Sequence, residues 1–238
     1  MNDVGTAAVG PWRPLWAGLR LRRWREWWLG PAGGLLVCVL ALLFRTEHGH
    51  GLIHVIAITH ARDSWPVLLG RLPLSMVAPA QMLPFAFAVL QVTVVFGVAQ
   101  ILLGWRQTLV VAVLGHGLAT MSSRFWIWLG PPVGLPPRYL DFPDAGPSVA
   151  VVALIAFIAM ERRLRWLAAV LVAYHVAEMV IFHGLSQREH LVGVTVGVTA
   201  AALRSALRTW RRAPLTLPTR PVALPRPAPP RVPAQVDA

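Results

Sequence analysis

The sequence predicts an all-α membrane protein with six transmembrane helices and both termini in the cytosol. Three observations predict it. The 238 residues are 56% hydrophobic and only 13% charged, with a mean hydropathy of +0.58, whereas a soluble domain carries about a quarter charged residues. Six apolar runs reach or approach the roughly 20 residues that cross a bilayer as a helix. Finally, 16 of the 22 arginines fall in the N-terminal lead, in two short connectors and from Arg204 onward. Basic residues gather on the cytosolic side, so alternate connectors and both chain ends belong there.

Residues 1–28 are basic and tryptophan-rich, and read as a cytosolic amphipathic lead-in with its aromatics at headgroup level. The membrane domain is expected over 29–207, its spans near Leu29–Phe44, Met82–Leu103, Thr108–Met121, Gly146–Met160, Trp166–Phe182 and His190–Leu207. Between the first two lies a long, half-polar stretch broken by Pro66, Gly70, Pro73 and Pro79. It reads as an interfacial or partly embedded loop, which survives at such depth only when packed against protein. Residues 208–238 form a proline- and arginine-rich tail that cannot build a core, expected to be polyproline-like or disordered in the cytosol.

The net charge of +12 follows the topology, so nucleic acid is not an expected partner. Cys38 is the single cysteine and lies inside the first apolar run, which excludes an intrachain disulfide. No cleavable signal peptide is expected, because no small-residue cleavage site follows the first apolar run.

Ionisable and polar groups inside spans are expensive, so each is a candidate for function. Ser148 follows Gly146 and Pro147, a glycine cap and a proline suited to a first helical turn. Its hydroxyl would sit beside unpaired N–H groups at the positive end of the helix dipole, where an oxyanion is stabilised; a capping serine without chemistry is the plainer reading. His190 opens the last span, whose Gly193, Gly197 and Ala201 recur every four residues and make a face for close helix approach. If the neighbour is the fourth span, His190 meets Ser148 as general base; a histidine satisfied by interfacial water is the alternative. His175 and Glu178, three apart, share a helical face and read as a hydrogen-bonded pair or, with His183, a proton relay or metal ligands. His116, between Gly115 and Gly117, reads as a hydrogen-bonded core residue. His48, His50 and His54 in the first outer loop match no metal signature, and no metal or cofactor is expected.

The stretches "GPSV" (146–149) and "HLVGVTVGVTA" (190–200) resemble the GxSG and HxxGxxxG motifs of the rhomboid intramembrane serine proteases. "FGVAQILLGWRQ", "GHGLAT" and "DAGPS" extend the resemblance, toward a bacterial rhomboid-like branch, over roughly 29–207. The resemblance implies Ser148 as nucleophile and His190 as general base, a dyad without a third carboxylate. It implies that Gly146 opens the backbone around the serine, and that Gly193 and Gly197 bring the sixth span against the fourth. The chain departs from the pattern at Val149, where the motif's last glycine stands, and at Val152, where an aromatic stacks on the histidine. The second-span stretch "LPFAFAVLQ" lacks the histidine and asparagine that hold the oxyanion, and the tryptophan-arginine pair of the first outer loop is missing. Asp144, about one turn before Ser148, is expected from spacing alone to orient His190, to cap the helix or to bind an outer-loop arginine.

Three functions follow. The retained serine and histidine fit an intramembrane serine endopeptidase acting on transmembrane protein substrates. The missing second-span groups fit a catalytically inactive rhomboid-like protein that binds transmembrane clients. A transporter or lipid-handling protein using His116, His175 and Glu178 is the third, though no inverted repeat is visible.

Overall fold

In a solvent that cannot hydrogen-bond the backbone, long apolar segments satisfy their own N–H and C=O groups as helices, and the fold follows that rule. The computed structural model describes residues 26–79 and 84–212. Every regular element among them is helical: α1 (Leu29–Phe44), α2 (Glu47–Ile56), α3 (Trp65–Ser75), α4 (Phe85–Leu103), α5 (Trp105–Leu129), a 3-10 turn (Pro137–Asp141), α6 (Ser148–Glu161), α7 (Arg165–Phe182) and α8 (Leu185–Arg212). Thr59 and Asp144 pair as an isolated antiparallel bridge. The basic lead over residues 1–25 and the tail over 213–238 lie outside the described residues.

A helix stands at each of the six expected places, with boundaries that differ for physical reasons. α5 runs past Met121 to Leu129 although "SSR" looks like a connector. The Ser122 and Ser123 hydroxyls donate to the Ala119 and Thr120 carbonyls, and the Arg124 guanidinium lies 4.2 Å over the Trp65 ring. α6 starts at Ser148, with Pro147 rather than Gly146 at the position before it and no side-chain capping bond. Gly146 itself has φ +134°, which no helix accommodates. α8 starts at Leu185, five residues before His190, because the polar "SQRE" turn is anchored. Buried Arg188 donates to the Val133, Gly134 and Gly184 carbonyls.

Three of the helices, over Phe85–Leu103, Arg165–Phe182 and Leu185–Trp210, are long and apolar enough to cross a membrane, and α1 and α6 are shorter apolar helices. The outer surface agrees with lipid contact: Leu35, Leu42, Leu90, Val94, Val170, Val180 and Phe182 are all exposed. Apolar surface on that scale needs a covering phase. α6 is the exception, being buried along nearly its whole length, as expected of a helix that is apolar all round.

The connector between α1 and α4 is more ordered than its prolines predict. α2 and α3 satisfy its backbone, and Arg71 ties their ends by donating to the Val55 and Ile58 carbonyls and pairing with Asp63. The three histidines expected in a loop lie on helix α2, where His50 and His54 stack beside Phe44. Burial, and after it the charges of His50 and His60, lower the His54 pKa from its ordinary value.

Contacts at the helix ends fix their directions. The Gln100 side chain near the end of α4 accepts from Leu29 N–H at the start of α1. Arg162, after α6, donates to the Leu102 carbonyl, and Glu161 pairs with Arg204 and Arg208 of α8. The start of α1 and the ends of α4, α6 and α8 therefore share one end of the bundle. Asp144, Ser148 and the start of α8 share the other.

Candidate functional site

Ser148 and His190 meet. The His190 Nε2 lies 2.9 Å from the Ser148 Oγ, across 42 positions of sequence. Glycine explains how two helices come that close. A Cβ on Gly197 would stand 2.3 Å from the Ala153 carbonyl oxygen, and one on Gly193 would stand 3.0 Å from that of Val149. α8 thus lies directly on α6, and parallel to it, so that the first turn of one faces the first turns of the other.

Ser148 is held from behind by a chain of hydrogen bonds running to α5. Buried His116 bonds through Nε2 to the Ser75 hydroxyl at 2.7 Å. Ser75 accepts at its carbonyl from Gly146 N–H at 2.8 Å, two residues before Ser148. The expected core role of His116 is what the geometry gives, with Ser75 as the partner. Ser75 is a small polar residue at the end of a broken apolar stretch, and its sequence context carries no sign of this bond. Asp144 is fixed beside it: its N–H and C=O pair with Thr59, and its carboxylate shares side-chain hydrogen bonds with Thr59 and Glu189. Of the roles that spacing offers Asp144, the helix cap is not taken up, since no side chain caps α6.

The carboxylate that does face His190 is Glu178. Its Oε2 lies 3.6 Å from His190 Nδ1 and 2.8 Å from His175 Nδ1, while the two imidazole rings are 5.3 Å apart. A carboxylate oxygen can only accept, so the His175 proton sits on Nδ1. For the Ser148 hydroxyl to donate to His190, Nε2 must be bare, which puts the His190 proton on Nδ1, facing Glu178. That atom is buried without another partner. A separation of 3.6 Å is longer than a hydrogen bond. His175 and Glu178 are the bonded pair that their spacing predicts. His183 is not part of the group: it ends α7 in the left-handed region and is exposed.

The site therefore consists of a half-buried hydroxyl, an imidazole aimed at it, a carboxylate behind the imidazole and an uncapped helix start beside the hydroxyl. The orphan N–H groups of that first turn are donors for an oxyanion. Val149, buried next to Ser148, packs its Cγ1 toward Gly193. Compared with known proteins, the chain matches no family model, no curated protein and no solved structure.

Proposed function

We propose that the chain is a six-span, rhomboid-like intramembrane serine protease that cleaves transmembrane segments of other membrane proteins near the outer face. One observation carries the reading: the 2.9 Å contact between Ser148 Oγ and His190 Nε2. In the proposed reaction His190 Nε2 takes the serine proton as Oγ bonds to the scissile carbonyl carbon. The oxyanion lies against the N–H groups opening α6. The C–N bond then breaks, the leaving amine receives the proton from Nε2, and water hydrolyses the acyl-serine by the same exchange. Glu178 holds the Nδ1 proton of His190 toward itself and stabilises the imidazolium that forms. No cofactor enters. The cytosolic side is the end that carries Arg162, Arg204 and Arg208.

The test is fluorophosphonate labelling of the purified protein beside Ser148→Ala and His190→Ala. We expect the wild type to label and both variants to be silent. A second reading, client binding without catalysis, is favoured by the buried Val149 side chain at the position where the resembling motif has glycine. A folded wild type that does not label, beside a rhomboid that does, selects that second reading.

A further inference from the structure

Two imidazoles and a carboxylate converge where the sequence carries no ligand spacing. His175 Nδ1, a Glu178 carboxylate oxygen and a His190 ring nitrogen all lie within 4.8 Å of one another. Spacing groups His175 and Glu178 with His183; the packing of α7 on α8 substitutes His190. We propose that His175, Glu178 and His190 bind a divalent transition-metal cation, Zn2+ above all, and that the bound ion holds Ser148 inactive. The second half rests on the reading of Ser148 as nucleophile; the first does not.

The donor set suits the ion. Zn2+ takes imidazole nitrogen and carboxylate oxygen at about 2.0–2.2 Å in a tetrahedral shell, which sets ligand atoms around one ion about 3.3 Å apart. The two contacts of Glu178, 2.8 Å to His175 and 3.6 Å to His190, bracket that spacing, and the third pair, between the two imidazoles, lies within 4.8 Å. Mixed imidazole and carboxylate ligands select Zn2+ over Mg2+ or Ca2+, which prefer all-oxygen shells. Three protein ligands leave one position for water. The unpartnered, buried His190 Nδ1 gains a ligand bond in exchange for a long contact.

The effect on Ser148 follows from the tautomer. A metal on His190 Nδ1 takes the lone pair there, and the ring proton moves to Nε2. Nε2 then donates to the Ser148 hydroxyl across the same 2.9 Å instead of receiving its proton. The serine stays protonated and the ring cannot act as base. Metal and orienting carboxylate thus compete for one atom.

The experiment is Co2+ titration of the full chain in nanodiscs, read by the visible bands of four-coordinate Co2+ and by Zn2+ competition. Wild type and Ser148→Ala should each bind one ion per chain. His175→Gln, which keeps a donor toward Glu178 but offers no imidazole, and Glu178→Ala should bind at least about 100-fold more weakly. The paired variant His50→Ala/His54→Ala controls for the stacked histidines of α2, and should bind like wild type. Zn2+ should slow fluorophosphonate labelling of the wild type at least about 10-fold, reversed by chelator. No bands in the wild type, equal bands in His175→Gln, or bands lost only in the α2 variant overturns the metal site. Binding in a protein whose serine never labels supports the site and rejects the protease; labelling without binding does the reverse.

Discussion

Glu178 is an acid on a helix otherwise apolar enough for lipid, and what it touches explains its place there. Its Oε2 faces two imidazole nitrogens, so it is compensated on α7 by His175 and across the helix boundary by His190. A glutamine at this position keeps an oxygen to face Nδ1 but has no charge to stabilise the imidazolium that the proposed reaction forms on His190. We expect Glu178→Gln to slow fluorophosphonate labelling by at least about 10-fold and at most about 10⁴-fold, the loss seen when the carboxylate of a serine-protease triad is neutralised. Unchanged labelling would reduce Glu178 to a structural partner of His175. Half of this arrangement is legible in the sequence, because three-residue spacing alone places His175 and Glu178 on one face. The other half is not. Which face α7 turns toward α8 depends on packing around both helices, and no local spacing encodes it. The same limit explains why Asp144 looks well placed along the chain and yet binds Thr59.

At the level of elements, the α6–α8 pairing makes the site, and glycine makes the pairing. A side chain at Gly197 meets backbone, the Ala153 carbonyl oxygen at 2.3 Å, which cannot rotate away. Gly197→Leu should therefore force α8 outward, destabilise the fold by at least about 1–3 kcal/mol, and abolish labelling by separating His190 from Ser148. Gly51→Ala, inside α2 where an added Cβ meets nothing within 4 Å, should leave labelling unchanged and the thermal midpoint equal or slightly raised, since alanine favours the helix over glycine. An equal loss in both variants would argue against close packing as the cause. The glycine rhythm of α8 and the apolar length of the helices are strong signals, and both were readable. The helix ends were not, because their extensions are polar. "SSR" in α5 and "SQRE" in α8 stay helical only because serine hydroxyls return to their own backbone and because Arg188 finds three carbonyls. Those partners exist in the fold and not in the local sequence.

For the whole molecule, the contacts at the helix ends and the arginine distribution support the proposed topology. The start of α1 and the ends of α4, α6 and α8 share an end of the bundle, and that end carries Arg162, Arg204 and Arg208. We expect reporters that are active only in the cytosol to be active when fused to either terminus, and a reporter inserted after Gly134 to be silent there. Opposite behaviour at the two termini would rule out an even number of crossings. Arg188 links this large-scale order to the site, since it bonds the α5–α6 connector to the turn that presents His190.

The helix that carries Glu178 is also the one with the least protein around it: only 11% of the α7 window is buried. The cluster is nonetheless turned inward: the Glu178 side chain is 16% exposed and that of His190 17%, and His175, also on α7, is buried. The carboxylate and the imidazole therefore meet on the inner side of a helix whose other residues are mostly exposed. In the proposed reaction, the bilayer around α7 would then bear on how firmly Glu178 is held toward His190, as a mechanical setting as well as a solvent.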